Sequence, residues 1–265
     1  MASTLALIGC GKMGQALLDG WLKKNLPYEL TVIQPEPLPP EIQTDGFTYV
    51  QAPPTDQVFD VLVFAVKPQI LNDVLKSYAD SVHDTSLILS IAAGKSITTF
   101  ESVFGASQPV IRAMPNTPAA IGQGITALCP NGSVSENQKH MAESLFQASG
   151  EVVWIENEPL MDAVTAISGS GPAYVFYLIE ALAEAAQKLG LDQDQATRLA
   201  RQTVIGAAAL AKDEPGTDAA TLRQNVTSPG GTTEAALNVL MDGTFQESLT
   251  QAVTAARDRG KELSS

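Results

Sequence analysis

The sequence is 265 residues long, 45% apolar and 17% charged, with a formal net charge of −13. That length holds one large domain or two modest ones, and the apolar content supports a folded core rather than a disordered chain. Without a cluster of Lys and Arg, the acidic balance excludes nucleic acid and anionic membranes as main partners but not a small anion held by local donors. Two cysteines (Cys10, Cys129) and two histidines (His83, His140) are too few for a disulfide framework or a Cys/His centre, so no metal site is expected. No apolar run reaches the roughly 18 residues of a membrane span, and a signal-peptide pattern is lacking, so a soluble, cytoplasmic protein is expected.

In chain order, Leu5–Ile8, Leu30–Ile33, Val61–Val66, Leu87–Ala92 and Pro109–Ala113 are apolar, β-branched runs of the kind buried on both faces of a parallel sheet. Met13–Lys24 and Ile70–Tyr78 carry helical spacing between them. This alternation predicts an α/β fold with a Rossmann-type, doubly wound sheet. Pro35, Pro37, Pro39 and Pro40 rule out a regular helix after the second strand, so a loop or shortened helix is expected. Ser135 and Gln138 form a capping-box pair opening a helix that ends near Gly150, and Glu151–Ile155 makes a last strand.

Beyond Pro159 alanine and leucine dominate and no strand is expected. The stretch from Pro172 to Leu189, with Gly190 past its end, reads as a helix apolar on nearly every side through Val175, Phe176, Leu178, Ile179, Leu182, Ala185 and Leu189. Such a helix must be buried all round, and a domain of about 110 residues can hardly enclose it, so a second subunit is expected to supply part of the burial. Gly206 and Ala207–Ala209 point to close helix approach in the same assembly. The expected domains are residues 1–157, which bind a dinucleotide, and 158–265, all helical.

Gly9-Cys10-Gly11-Lys12-Met13-Gly14 fits G-x-G-x-x-G directly after the first strand and at the opening of a helix. There the first glycine permits a tight turn, the second lets backbone approach a pyrophosphate, and the third packs helix on strand. The helix N-terminus adds free N–H groups and partial positive charge. Gln34 and Glu36 follow the second strand, Glu36 lying 22 residues after Gly14. An acidic side chain there accepts from the 2′-hydroxyl of NAD and repels the 2′-phosphate of NADP; the plain alternative is a solvated loop glutamate. Cys10 is either an alkylation-sensitive position or a small packing residue.

Five further motifs stand in order: Ala65-Val66-Lys67-Pro68-Gln69, Ser90-Ile91-Ala92-Ala93-Gly94, Arg112-Ala113-Met114-Pro115-Asn116-Thr117-Pro118, Ser168-Gly169-Ser170-Gly171-Pro172-Ala173-Tyr174 and Val226-Thr227-Ser228-Pro229-Gly230-Gly231-Thr232-Thr233. With them the sequence resembles pyrroline-5-carboxylate reductases over essentially its whole length. The resemblance implies reduction of Δ1-pyrroline-5-carboxylate to L-proline by NADPH or NADH. It also implies a Rossmann domain joined to a helical dimerisation domain, a homodimer, and a ring of dimers. A related reductase acting on another cyclic imine or a hydroxy acid is the alternative, and the hydroxy-acid version normally has a lysine in the helix where only Lys188 stands, at its very end.

Ligands of open α/β sheets bind at strand C-termini. The resemblance puts Val66, Lys67 and Pro68, with Ala92, Ala93 and Gly94, on the nicotinamide side. Asn116 contacts the cofactor or shapes its rigid turn. Ser228–Thr233, leading into a helix over Glu234–Met241, reads as an anion cradle or as an ordinary N-cap made by Thr232 or Thr233. By resemblance this loop binds the imino acid through Asn225, Ser228, Gly231, Thr232 and Thr233, with Thr233 bonding or protonating the substrate nitrogen. Glu158 lies near the ligands by resemblance, or is a first-turn charge suited to the dipole of its own helix. His83 and His140 read as surface residues. Gln51-Ala52-Pro53-Pro54 stands where many members of the family carry a cofactor-touching asparagine, and Gln34 and Glu36 where Ser, Asn or Arg often stands near the 2′-phosphate. Both departures bear on the choice between NADH and NADPH.

Overall fold

The computed structural model of the chain describes residues 3–38, 42 and 45–264. In chain order the first part contains β1 (Ser3–Ile8), α1 (Lys12–Lys24), β2 (Tyr28–Ile33), β3 (Thr48–Val50), β4 (Val61–Phe64), α2 (Leu71–Lys76), β5 (Leu87–Ser90), α3 (Ile97–Phe104), β6 (Val110–Met114), β7 (Gly124–Pro130), α4 (Glu136–Gln147) and β8 (Gly150–Trp154). They form one sheet of order β3-β2-β1-β4-β5-β6-β7-β8. Every neighbouring pair is parallel except β6 with β7. The strand order reverses between β1 and β4, which creates a ligand crevice at the C-terminal ends of those two strands.

The unbroken apolar runs are explained by burial on both faces. Leu5 and Leu7, Val61 and Val63, Leu87 and Leu89 turn to one side, where Leu17, Leu18 and Trp21 of α1 and Leu145 and Phe146 of α4 meet them. Ala6 and Ile8, Leu62 and Phe64, with Ile88, turn to the other, against Leu71 and Leu75 of α2 and Phe100 of α3. The capping box is present: Ser135 Oγ accepts from Gln138 N at 3.4 Å, and Gln138 Oε1 accepts from Ser135 N at 2.9 Å. No helix follows β2 as far as Leu38, while Pro39 and Pro40 lie outside the described residues.

Two strands were not apparent from the sequence. β3 is only three residues long, too short for alternation to register. β7 begins at Gly124 and ends at Pro130, residue types that weaken a strand pattern, and it follows a 3₁₀ turn over Thr117–Ile121 that reverses the chain.

After β8 come a 3₁₀ turn (Glu158–Leu160), α5 (Met161–Val164) and a π-turn (Thr165–Gly169). Then follow α6 (Gly171–Lys188), α7 (Gln193–Asp213), α8 (Ala219–Asn225), α9 (Thr232–Leu240) and α10 (Thr244–Ser264). The chain divides into two compact units, one of residues up to 170 together with the last turns of α10 from Ala256, and one of Gly171–Ala255. Among the described residues of the helical unit only Ala183, Ala196 and Ala200 are buried. Its apolar helix α6 leaves Phe176 59% and Tyr177 70% exposed. A Cβ at Gly206 would meet nothing within 4 Å, so the close approach expected there is not made within the chain.

Candidate active site

The glycine turn is built by close contacts. Gly9 has φ +88°, and a Cβ there would stand 2.9 Å from both Ala65 O and Val66 Cγ1, at the end of β4. A Cβ at Gly14 would lie 2.5 Å from Gly9 O. Gly11 differs: a Cβ would meet nothing within 4 Å, so the space above the turn is open. Gly11 is the N-cap of α1; no side chain caps the helix and no acid stands in its first turn. The N–H groups of Lys12, Met13 and Gly14 at this terminus have no intrahelical acceptor, the arrangement that suits an anion. An open cradle over Gly11 beside an uncapped helix start fits a dinucleotide pyrophosphate.

Gln34 lies beside this turn, and its Oε1 accepts from Cys10 N at 2.6 Å. Glu36 is exposed. The Val66-Lys67-Pro68 and Ala92-Ala93-Gly94 turns follow β4 and β5, parallel neighbours in the sheet, so both sit on the same edge as Gly9. Lys67 and Ala93 are exposed there, and Ala92 is buried. Asn116 is 9% exposed and bonded at both ends of its amide: Nδ2 donates to Ser168 O at 3.1 Å, and Oδ1 accepts from Ile125 N at 2.9 Å. It therefore shapes its turn, joining it to the π-turn and to β7. Histidine chemistry is remote from this edge. His83 Nε2 stands 3.4 Å from Asp60 Oδ1, and Asp60 accepts from Thr4 N at the start of β1, the opposite end of the strands. His140 is largely exposed on α4.

The hydroxyl-rich loop belongs to the helical unit. Gly231 N donates to Ser228 O at 3.0 Å across Pro229 and Gly230, and Gly230 has φ +71°. Pro and then positive-φ Gly between those partners make a type II turn. The turn delivers Gly231 as N-cap of α9, so neither Thr232 nor Thr233 caps the helix, contrary to that reading of the sequence. Glu234 Oε2 accepts from Gly230 N at 2.7 Å. Ser228 and Thr232 are exposed and Thr233 half-buried, at the start of the helix, with Asn225 exposed at the end of α8.

Comparison with known proteins matches residues 158–263 to the pyrroline-5-carboxylate reductase dimerisation model and residues 4–94 to an F420-dependent NADP oxidoreductase model. A curated pyrroline-5-carboxylate reductase from Synechocystis sp. is 41% identical over 268 residues, 99% of each chain. The chain belongs to the pyrroline-5-carboxylate reductase family. Among solved members, one from Coxiella burnetii superposes with a TM-score of 0.92 at 37% identity over 100% of both chains. One from Plasmodium falciparum with NADP bound does so at 0.81 and 31%, covering 99% of this chain and 98% of that one. The family's reaction is reduction of pyrroline-5-carboxylate with NAD(P)H, and the nucleotide unit fits that cofactor.

In this reductase Glu158 serves a helix other than its own. Its Oε1 accepts from Ile97 N, the first residue of α3, at 2.8 Å and from Arg112 Nη1 at 3.2 Å. Arg112 Nη2 lies 3.8 Å from Asp162 Oδ1, and the Arg112 side chain is 9% exposed. Asp162 was not singled out in the sequence and Arg112 entered only as the first residue of a motif, because Glu158 lies 46 residues from Arg112 and 61 from Ile97 and such separations leave no local pattern. Glu158→Ala leaves Arg112 with only the longer of its two partners and α3 uncapped. We expect urea unfolding to report a loss of about 2–3 kcal/mol, somewhat less than for breaking a fully buried pair because Glu158 is partly solvated. An unchanged midpoint would remove the cluster from the architecture.

Cys10 is 3% exposed, and burial, with Asp19 adding to it, pushes its thiol up to about 11. Burial raises Cys129 as well. At pH 8 roughly one Cys10 in a thousand is then a thiolate, the reactive form. The sequence's alternative of alkylation sensitivity gives way to packing. Iodoacetamide at pH 8 should leave the native protein unmodified and label both cysteines after denaturation, as read by mass spectrometry.

Proposed function

We propose that this chain reduces Δ1-pyrroline-5-carboxylate to L-proline, the last step of proline biosynthesis, in the cytoplasm. One observation carries the reading: an uncapped, open glycine cradle and an intact hydroxyl-rich helix start occur in the same chain, one suited to pyrophosphate and the other to a small carboxylate. Gly9 to Gly14 hold the pyrophosphate, with Gln34 bracing the turn and Glu36 at the adenosine ribose. Val66, Lys67, Pro68, Ala92, Ala93 and Gly94 border the nicotinamide, and Asn116 holds its turn in place. The bound dinucleotide supplies a hydride. Asn225, Ser228, Gly231 and Thr232 bind the imino acid, its carboxylate facing the first-turn N–H groups of α9, and the Thr233 hydroxyl bonds the ring nitrogen. Glu158 supports the site through Arg112 and α3. A protonated imine is already electrophilic, so placement rather than a strong acid supplies the catalysis.

Residues 1–157 act as the cofactor domain and 158–265 as the substrate and dimerisation domain, a division supported by the extent of the dimerisation match. A homodimer forms through the C-terminal helices, and the resemblance extends this to a ring of dimers. Steady-state oxidation of NADH and NADPH with pyrroline-5-carboxylate tests the reading; no oxidation of either would refute it. Thr233→Ala should lower kcat about 10- to 100-fold, the scale of one charge-assisted hydrogen bond, and leave dinucleotide affinity unchanged. Thr233→Ser should recover most of the rate. Wild-type kinetics in Thr233→Ala would remove that hydroxyl from the mechanism.

A further inference from the structure

The turn expected to face the adenosine ribose has few means of holding itself. Pro35 and Pro37 flank Glu36 and have no N–H, and no helix follows β2 up to Leu38, so the turn must be fixed largely by donors that reach its carbonyls. Two side chains do this. Gln34 Nε2 donates to Glu36 O at 3.3 Å while its Oε1 takes the Cys10 N–H, so one amide spans the phosphate turn and the ribose turn. Tyr49, on edge strand β3, directs its hydroxyl at Glu36 O (2.9 Å) and Gln34 O (3.2 Å). The backbone ladder runs alongside, with Gln34 N donating to Val50 O at 3.1 Å.

We propose that Tyr49 is a positioning residue for dinucleotide discrimination: its hydroxyl fixes the backbone from which the Glu36 carboxylate meets the adenosine ribose, and so favours NADH over NADPH. A carboxylate discriminates sharply only if its Cα is held. A mobile Glu36 could swing away from a 2′-phosphate and would lose its bond to a 2′-hydroxyl for much of the time. β3 is three residues long, and besides the Val50 carbonyl that accepts from Gln34 N it brings the Tyr49 side chain to the turn. The proposal rests on the reading of Glu36 as the residue facing the ribose.

The test uses the full-length protein, with calorimetric titration of NADH and NADPH beside steady-state kinetics, for Tyr49→Phe, Glu36→Gln and the double variant. Tyr49→Phe should raise Kd and KM for NADH about three- to tenfold, the scale of a neutral hydrogen bond, with kcat unchanged and the NADPH values within about twofold. Glu36→Gln should erase the preference, and adding Tyr49→Phe to it should change the NADH to NADPH ratio no further. If Glu36→Gln leaves the ratio unaltered, the Glu36 reading fails and the role of Tyr49 falls with it. If Glu36→Gln shifts the ratio but Tyr49→Phe does not, or weakens both dinucleotides equally, only the Tyr49 proposal is overturned.

Discussion

Gly11→Ala is expected to weaken dinucleotide binding at least about a hundredfold while the ligand-free protein melts within about 4 °C of wild type. The added Cβ meets no protein atom within 4 Å, and Gly11 sits at φ −70° and ψ −173°, where alanine is comfortable. The structural cost is limited to exchanging Gly for Ala at an N-cap, below about 1 kcal/mol, and each such kcal/mol shifts the melting point by about 2–4 °C at this size. The methyl group would occupy the space over the turn, and a pyrophosphate pushed outward would lose bonds to helix N–H groups worth about 1.5–3 kcal/mol apiece. Gly14→Ala should do the reverse. Its Cβ would stand 2.5 Å from the carbonyl oxygen of Gly9, a backbone atom that cannot step aside, so a loss near 3 kcal/mol is expected even without ligand. Thermal scans with and without saturating NADPH separate the two: Gly11→Ala should lose the ligand-induced rise and Gly14→Ala the baseline. A normal NADPH-induced rise in Gly11→Ala would refute the pyrophosphate assignment.

The same turn explains how a chain of charge −13 takes an anionic cofactor. The groups proposed to bind it are backbone N–H dipoles at the start of α1, whose first turn carries no acid and opens with Lys12, while its other two lysines, Lys23 and Lys24, sit in the last turn where they suit the dipole. Net charge sets the long-range field; local dipoles decide what binds at contact distance.

What was legible in the sequence follows from how local each cause is. The strands buried on both faces, the capping box of Ser135 and Gln138 and the glycine turn are each specified within a few neighbouring residues, and each is in place. The chain reversal into β7 is not so specified, because it depends on Asn116 spending both ends of its amide on Ile125 and Ser168. Nor does the sequence show that Glu158 caps α3, a partnership set by the fold. In the Ser228–Thr233 loop the hydroxyls were visible but their geometry was not. Pro229 and Gly230 move the helix start so that Gly231 takes the cap and Thr232 and Thr233 stand in the first turn.

The second large effect concerns the helical unit, which as a single copy has almost no core. Its buried described residues are three alanines, while Phe176, Tyr177, Leu178 and Leu182 of α6 remain 39–70% exposed. Alanine burial alone falls far short of offsetting the conformational entropy of ordering five helices, at about 1–2 kcal/mol for each residue's backbone. The missing apolar burial must therefore come from outside the unit, and the match to a dimerisation domain identifies a second copy as its source. Stability should then depend on protein concentration: each tenfold rise adds about 1.4 kcal/mol per dimer, so the melting temperature climbs steadily across a dilution series. Phe176→Glu would place a charge on the exposed apolar side of α6 that a second copy is expected to cover, and should convert the protein to monomer by sedimentation, with the C-terminal helices losing much of their signal in circular dichroism. A melting temperature flat over a hundredfold range, together with unchanged sedimentation of Phe176→Glu, would show that the helical unit finds its burial elsewhere.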